Sequence, residues 1–320
     1  MDGKGADELT GERMKNIIFD TDIGGDCDDV AALDLLISAH LAGECRLLAV
    51  TYSHICTSAP ALIRSILSQY GLGDIPIGTR KGKTDFHDCY SGAVLDRFPA
   101  SDAGVTDAVP LLRRILAEND EVTVVATGSF YNIAMLLKSE PDAYSPLSGT
   151  DLVKEKVSEF AVMGGNFSHQ SGYSPRPENV ASDGTIVQCR EYNIVLDPAE
   201  TKYFFDNCPV PVTVSPFELG YNMLTFAPMV KRFGSARPDT LAYLVFGAED
   251  GRSSWDPVTA YYAVYGTDGL LYKTANGKVK TDGGYTDFIP NRADSHAILY
   301  PSSDKASVGA AIDKKIARLM

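Results

Sequence analysis

Short apolar segments alternate with helix-like segments through the first two thirds of this 320-residue chain. Residues 15–21, 46–52 and 121–127 are apolar runs bounded by polar residues, as is typical of buried parallel strands. Helix-like segments follow them, such as residues 30–41, whose apolar side chains fall on one helical face. The alternation predicts an α/β fold: an open, mainly parallel twisted sheet with helices on both faces. Functional loops of such sheets follow the carboxyl ends of the strands.

The pattern changes near the end of the chain. After Gly269 the segments become short and are separated by turn residues, and Asn276-Gly277 has the composition of a hairpin turn. Residues 166–188 form a long stretch rich in Gly, Pro and Ser, as expected of a loop over a site. No repeat or linker divides the sequence. We therefore predict a polar N-terminal extension over residues 1–14 and one domain over residues 15–320, with a short strand-rich segment near its end.

The charge balance is acidic, with 42 Asp and Glu against 29 Lys and Arg and a net charge of −13. An overall field of this sign repels polyanions, so we predict no nucleic-acid partner. No apolar run reaches the length of a membrane span, and residues 1–13 lack the apolar segment of a signal peptide. The six cysteines are scattered without a Cys-x-x-Cys pair, as expected of reduced thiols. These features predict a cytoplasmic protein without a membrane partner; a signal peptide removed beforehand is the alternative.

The densest chemical signal is residues 20–29 (DTDIGGDCDD), where five carboxylates follow a predicted strand and precede a predicted helix. Carboxylates packed this closely raise one another's pKa unless a cation neutralises them. A hard divalent cation, which prefers oxygen ligands, would do so. Two alternatives stay open: a solvated acidic loop that caps the helix, and the phosphatase signature Asp-x-Asp-x-Thr. Asp20 and Asp22 fit that signature, but Gly24 stands where Thr or Val is required.

This acidic segment resembles the opening motif of the inosine-uridine nucleoside hydrolase family, which reads Asp-x-Asp-x-Gly, then Asp-Asp and an Ala/Leu-rich helix. Three later segments resemble family motifs in the same order. They are GSFYNIA at residues 128–134, the pair Met163-Gly164-Gly165 and Glu191-Tyr192-Asn193 with Asp197-Pro198, and Trp255-Asp256-Pro257 where the family often has His-Asp-Pro. The resemblance covers roughly residues 17–263.

The resemblance implies an enzyme that hydrolyses the N-glycosidic bond of ribonucleosides to ribose and free base, with a calcium-bound water and an Asp general base. It implies that Asp22, Asp29, Asp256 and the backbone carbonyl of Tyr131 hold the Ca²⁺, and that Asp22 is also the base. It further implies a nucleoside as small-molecule partner, a role in purine or pyrimidine salvage, and a homo-oligomer, either dimer or tetramer.

The ribose hydroxyls would be held by Asp28, Glu191, Asn193 and Asp256, as the resemblance implies. The chemistry asks for much the same set, since nearby carboxylates stabilise an oxocarbenium-like sugar and vicinal hydroxyls can enter a cation's shell. Other roles stay open for each residue alone. Glu191 and Asn193 also suit an exposed polar turn, and Asp256 also suits a helix cap before Pro257.

The sequence departs from the family pattern at two places. Gly25, Asp26 and Cys27 stand between Gly24 and the Asp-Asp pair, where the commoner motif has one residue. Counting from the start of the motif therefore assigns the distal metal-ligand role to Asp26. The phase of the following helix assigns that role to Asp29 instead, and we expect Asp29 because the glycine loop can absorb the extra residues.

The second departure is Trp255, which replaces a His that in some members is proposed to protonate the departing base. An indole cannot act as an acid and can only stack or donate a hydrogen bond. His54, which follows a predicted strand where the family often has Asn, and His169 are therefore candidate site residues. Each also suits a purely structural role.

Two further functions stay open. One is hydrolysis of another ribosyl N-glycoside or a modified nucleoside, with the same metal and ribose contacts and a different base pocket. The other is a non-catalytic calcium- or sugar-binding module. The sequence does not identify the base, although Trp255, Phe167, Tyr173 and Tyr221 are plausible walls of its pocket.

Overall fold

The computed structural model describes residues 14–54, 56–80 and 88–320. Residues 1–13, which make up most of the predicted extension, lie outside the described residues. The prediction that they contain no signal peptide also concerns residues outside the described ones. The strands are β1 Lys15–Thr21, β2 Cys45–Tyr52, β3 Ile77–Thr79, β4 Thr106–Asp107, β5 Val122–Ala126, β6 Val157–Met163, β7 Val212–Ser215, β8 Leu224–Thr225, β9 Arg252–Ser253, β10 Leu271–Lys273, β11 Gly277–Asp282, β12 Tyr285–Pro290 and β13 His296–Pro301.

The helices follow the predicted alternation. They are α1 Asp28–Leu41, α2 Ala59–Gln69, α3 Ser91–Arg97, α4 Ala108–Glu118, α5 Tyr131–Leu137, α6 Gly149–Lys156, α7 Ser168–Ser171, α8 Tyr192–Leu196, α9 Pro198–Asn207, α10 Phe217–Gly220, α11 Ala227–Phe233, α12 Pro238–Phe246, α13 Trp255–Tyr265 and α14 Lys305–Ile316. Short 3-10 turns lie at Pro177–Asn179, Gly234–Ala236 and Ala317–Leu319. Within the described ranges, no helix has the length and apolar character that a membrane crossing requires.

One large sheet organises the molecule, in the order β12-β11-β13-β7-β6-β5-β1-β2-β3-β4, with β10 also paired to β13. All pairings from β13 across to β4 are parallel, and the antiparallel pairs involve β10, β11 and β12. The predicted α/β class and the mainly parallel sheet are therefore confirmed. The strand-rich segment after Gly269 adds an antiparallel edge.

Helices cover both faces of this sheet because successive side chains of a strand point to opposite faces. Ile17 and Phe19 of β1 pack in one apolar core, together with α1 and α13. Ile18 packs in the other core, together with α4 and α5. The central strand is thus buried on both sides, which explains its continuous apolar sequence.

The predicted hairpin turn at Asn276-Gly277 is wrong. β10 and β11 flank that dipeptide but pair with β13 and not with each other. The hairpin instead joins β11 to β12, where Asp282 pairs with Tyr285. Its turn residues, Gly283 and Gly284, have φ of 54° and 93°. Such left-handed values suit a tight two-residue turn, and glycine adopts them without steric cost.

Candidate active site

The ends of three adjacent strands carry the polar residues of the site. The N–H of Ser53, just after β2, donates to the carbonyl of Thr21 at 2.8 Å, and the N–H of Thr127, just after β5, donates to that of Asp20 at 2.8 Å. These bonds extend the sheet beyond its apolar part and fix the path of the chain into Asp22. The site therefore lies at the carboxyl ends of the strands, as expected for an open α/β sheet.

Three buried carboxylates converge above these strand ends. One oxygen atom each of Asp28, Asp29 and Asp256 lies within 4.8 Å of the other two. Asp28 and Asp29 begin α1, and Asp256 is the second residue of α13. The backbone N–H of Asp256 donates to Asp28 Oδ2 at 3.1 Å. Helices α1 and α13 pack against each other on the same face of the sheet, so residues 228 positions apart in sequence become neighbours.

The pKa values of the three carboxyl groups are raised, which reflects the electrostatic cost of this arrangement. Burial raises the pKa of Asp28 well above its usual range, and the charges of Asp26 and Asp29 add to the effect. Burial likewise raises the pKa of Asp256, helped by Asp28, Asp29 and Asp22. The pKa of Asp29 rises only to about 6, because the Thr21 hydroxyl donates a hydrogen bond to it.

These residues fit a hard divalent cation. The group offers only oxygen ligands, it is buried, and its like charges repel each other across a short distance. Asp22 is also buried in the same cavity, and its pKa is raised by burial and then by Asp29, Asp28 and Glu191. It lies outside the closest group of three, on the side of the cavity next to the strand ends.

A cavity of about 710 Å³ opens above the carboxylates. Its walls come from the acidic loop, the strand ends, the long stretch between β6 and α8, and the start of α13. The lining residues are Asp22, Gly25, Asp26, Asp28, Asp29, Cys89, Thr127, Met163, Asn166, Arg176, Asn179, Cys189, Arg190, Glu191, Tyr192, Asn193, Val195, Phe217, Arg252, Trp255 and Asp256. The volume suits a small molecule rather than a polymer.

Glu191 and Asn193 are both buried in this cavity, so the alternative of an exposed polar turn is wrong. Glu191 precedes α8 and caps it, accepting from the N–H groups of Asn193 at 3.1 Å and Ile194 at 3.2 Å. Its Oε2 also accepts from the Gly165 N–H at 3.0 Å. The Asn193 side-chain amide donates to the Thr127 carbonyl at 2.7 Å.

The loop between Asp22 and α1 absorbs the extra residues without disturbing the helix. Gly24 has φ of 118°, and its N–H donates to the Tyr90 hydroxyl at 2.9 Å. Asp26 is not part of the group of three and forms an ion pair of 2.6 Å with Arg252. Asp28 and Asp29 occupy the first turn of α1. The geometry thus puts Asp29, and not Asp26, in the group of three carboxylates.

Tyr131 does not lie at this cavity. It opens α5 and lines a smaller cavity of about 270 Å³, where the Arg80 guanidinium stacks 3.6 Å from the centre of its ring. The next residue, Asn132, points back to the strand ends and donates to Asp20 Oδ1 at 2.8 Å. The residue that this strand end contributes to the acidic cavity is Thr127, whose hydroxyl lies 3.4 Å from Asp29 Oδ1.

Thr127 was not predicted as a site residue because it ends an apolar run. A polar residue between the last buried strand residue and a Gly-Ser turn is the signal that would have indicated it. Phe217 was not predicted either, because it belongs to no motif. Both residues line the cavity.

The structure separates Trp255 from the two candidate histidines. Trp255 lines the cavity, stacks on Phe217 with ring centres 5.5 Å apart, and donates its indole N–H to the Phe217 carbonyl at 2.9 Å. His54 is buried, and burial followed by the charge of Arg80 lowers its pKa. His169 lies 2.9 Å from Asp287. Among the residues that the structure describes, no histidine lines the cavity.

The other predicted walls divide between two cavities. Phe167 and Tyr173 line a second, more apolar cavity of about 740 Å³. Tyr221 stays near the first, where its ring lies 5.3 Å from Phe217 and 6.3 Å from Trp255. Phe217 and Trp255, with Tyr221 packed against them, therefore form an aromatic side of the acidic cavity, where a planar ring can stack.

Comparison with known proteins gives a consistent result. The family model for inosine-uridine preferring nucleoside hydrolase matches residues 17–313. Pyrimidine-specific ribonucleoside hydrolase RihA of Enterobacter sp. is 28% identical over 236 residues, covering 68% of this chain and 64% of that protein. RihA of Citrobacter koseri is 25% identical over 232 residues, with the same two coverages. The alignment thus spans slightly less than two thirds of the length of these relatives.

Solved structures share the fold at low sequence identity. The inosine-uridine preferring nucleoside hydrolase from Bacillus anthracis has a TM-score of 0.68 at 17% identity, covering 96% of this chain and 100% of that one. The type III effector protein XopQ, solved as a complex with adenosine diphosphate ribose, has a TM-score of 0.63 at 15% identity, covering 96% and 94%.

Proposed function

Because the chain belongs to the inosine-uridine preferring nucleoside hydrolase family, we propose that it hydrolyses the N-glycosidic bond of ribonucleosides to ribose and free base. The observation that carries the proposal is the buried group of Asp28, Asp29 and Asp256 at the floor of a cavity of about 710 Å³. An acidic floor stabilises the positive charge that develops on the sugar ring as the bond to the base breaks.

Asp22, Asp29 and Asp256 would hold the cation, and the Thr127 carbonyl is the backbone ligand that the geometry favours over Tyr131. We propose Ca²⁺, since an all-oxygen site of flexible carboxylates suits it. When bound, Ca²⁺ would neutralise the carboxylates, hold the vicinal ribose hydroxyls and make a nearby water more acidic. The remaining steps fall to the residues of the chain.

Asp22 would be the general base. The oxygen of a water forms the new bond to C1′ of the ribose, and its proton passes to the Asp22 carboxylate. The bond from C1′ to the base nitrogen breaks, and its electron pair leaves with the base. The base takes a proton from solvent, since no histidine in the described part of the cavity can supply one and the Trp255 N–H is already bonded to Phe217.

Three residues have acceptor atoms for the ribose hydroxyls. Asp28 uses Oδ2 to accept from the backbone of Asp256, which leaves Oδ1 for a hydroxyl. Asn193 uses its amide N–H on Thr127, which leaves its oxygen. Glu191 already accepts three backbone N–H bonds, so we propose that it mainly fixes α8 and Asn193 and contributes only a remaining lone pair to the sugar.

The decisive experiment measures base release by chromatography from uridine, cytidine, inosine and adenosine. The protein is tested as purified, after prolonged chelation, and after readdition of Ca²⁺. The proposal expects release that chelation abolishes and Ca²⁺ restores. Full release by the metal-free protein would overturn the cation mechanism. Calcium-dependent ribose binding without release of any base would instead indicate the non-catalytic module.

A matched pair of variants tests the metal register. Asp29→Asn removes a charge from the group of three, whereas Asp26→Asn removes one from the neighbouring ion pair with Arg252. We expect Asp29→Asn to lose Ca²⁺ binding by calorimetry, together with turnover, and Asp26→Asn to keep both within about tenfold. The opposite result would show that Asp26 is the ligand.

A further inference from the structure

Three arginines, Arg176, Arg190 and Arg252, line the cavity whose floor is the acidic group. An uncharged nucleoside gives no reason for such a concentration of positive charge. Nor does the composition of the chain, since acidic residues outnumber basic ones and the net charge is −13. The arginines therefore need either a partner in the protein or a partner in the ligand.

Arg176 and Arg190 have no acidic partner within ion-pair distance in the described part of the chain. Each is instead held against aromatic rings. The guanidinium of Arg176 lies 4.5 Å from the centre of the Phe217 ring and 5.4 Å from that of Tyr221. Arg190 lies 5.1 Å from the centre of the Tyr285 ring.

A guanidinium that lies near an aromatic ring can still use its N–H groups for hydrogen bonds, and these groups match the two oxygens of a carboxylate or phosphate. Arg176 lies near Phe217, the same ring that stacks on Trp255. Arg190 is next in sequence to Glu191, which caps α8 at the cavity wall. Both arginines line the cavity, where a bound ligand can reach them.

Arg252 contributes differently. Two of its nitrogens bind the Asp26 carboxylate, and its guanidinium lies 5.2 Å from the centre of the Trp255 ring. It therefore offsets the charge of Asp26, a cavity-lining carboxylate outside the group of three. Arg176 and Arg190, which we call the arginines of the rim, therefore keep their positive charge beside the acidic floor.

We propose that the substrate of this site is an anionic ribosyl N-glycoside, whose phosphate or carboxylate binds Arg176 and Arg190 while its ribose lies on the acidic floor. This inference rests on the proposed function and specifies its substrate class. The anion has two possible sources: a phosphate on the 5′ oxygen of the ribose, or a carboxylate on the base. The polarity of the cavity excludes an anion at the floor itself, where the carboxylates would repel it.

Uridine, uridine 5′-monophosphate and orotidine form a matched set of probes. They share ribose and a uracil ring, and differ by no anion, a 5′-phosphate and a ring carboxylate. We expect one of the two anionic probes to exceed uridine in kcat/KM by about tenfold or more, the ratio that one charge-assisted hydrogen bond supplies. Which probe gains identifies the source of the anion.

The double variant Arg176→Gln/Arg190→Gln tests whether the two arginines cause that preference. In this variant the kcat/KM of the favoured anionic probe should fall to that of uridine, so that the ratio of the two values approaches one. Arg232→Gln is the matched control, because the guanidinium of Arg232 also contacts a ring, Phe233 at 5.5 Å, but lies outside the cavity. Added salt should weaken the anionic preference of the wild type, whereas the double variant should show no such preference at any salt concentration.

The outcomes separate the two proposals. If uridine is cleaved as well as both anionic probes, the inference is wrong and the proposed function stands. If the anionic preference survives in the double variant, the anion binds elsewhere and the inference is also wrong. If no probe is cleaved, the proposed function fails, and calorimetry on the calcium-loaded protein still decides the inference. Tighter binding of an anionic probe, lost in the double variant, would then support it, and equal binding would overturn it.

Discussion

Gly128→Ala is expected to damage the site through the position of Asp22 rather than through the fold. Gly128 follows Thr127, and a Cβ atom added to it would lie 2.8 Å from both the backbone nitrogen and the Cβ of Asp22. Ordinary contacts of a Cβ begin at 3.4 Å. The nearest atom is the hydroxyl oxygen of Ser53, which rotation of that side chain can move. The two Asp22 atoms are backbone or attached directly to it, so side-chain rotation cannot relieve the clash with Asp22.

The expected magnitude follows from that distance. Asp22 and residue 128 must separate by about 0.6 Å, which corresponds to an overpacking cost of about 1–3 kcal/mol in the free energy of unfolding. A displacement of about 1 Å in a catalytic group can cost about 100-fold in rate, so we expect a loss of roughly 10- to 100-fold in kcat. Binding of a ribonucleoside should change less, because the three atoms nearest the new methyl group belong to Ser53 and Asp22 and not to Asp28 or Asn193.

The assay combines steady-state kinetics with thermal unfolding in the presence of Ca²⁺. Gly92→Ala is the control, because a Cβ there meets no atom within 4 Å and Gly92, which belongs to α3, is not one of the cavity-lining residues. The control should keep its kcat and melt at or above the wild-type temperature. A folded Gly128→Ala variant with kcat within about twofold of the wild type would refute the role given to Asp22.

Three further predictions concern charge. Asp256→Asn should lower both Ca²⁺ affinity and kcat by more than about 100-fold, since it removes one of three converging carboxylates; calorimetry and kinetics check this, and near-normal turnover would mean that Asp256 is only a helix cap. Burial raises the pKa of Glu218 to about 7 from 4.5, so its proton is held more tightly in the folded state and the free energy of unfolding should fall as pH rises from about 4.5 to 7. Glu218→Gln should therefore flatten that part of the wild-type profile by up to about 3 kcal/mol, and an unchanged slope in denaturant titrations would contradict the assignment. Trp255 cannot protonate the leaving group, so p-nitrophenyl riboside, whose leaving group needs little protonation, should be cleaved faster than uridine. Equal rates would indicate a proton donor other than the residues discussed above.

The fold was largely predictable because its signals are local. Each buried parallel strand is a short apolar run and each covering helix has one apolar face, so β1, α1, β2 and β5 were located within a few residues. The false hairpin at Asn276-Gly277 has the same origin. A dipeptide reports a preference for a turn, but whether its flanking strands pair with each other depends on β13, which comes later in the chain and takes both of them as neighbours.

The site was predictable only where a residue's environment depends on its own segment. Asp28 and Asp29 are set by the phase of α1, so their place in the first turn of that helix was predictable from the sequence. The cavity to which Tyr131 belongs depends instead on Arg80, which stacks on its ring from another loop. Arg176 and Arg190 could not be predicted as site residues, because the sequence does not distinguish an arginine without an acidic partner from one in a surface ion pair.

The hydrogen bond between Asp28 and the backbone of Asp256 has a consequence for how the molecule reaches its folded state. Most strands of the sheet precede α13 in the chain, so the sheet and α1 can pack while Asp256 is still distant. Docking of α13 then brings a further negative charge onto a floor that already repels it. Without a cation, repulsion from Asp28 and Asp29 thus opposes the docking of α13. With a cation, binding favours the docked state by mass action. Calcium would act in this protein as a folding partner that arrives late, and the order of events along the chain would determine when it can bind.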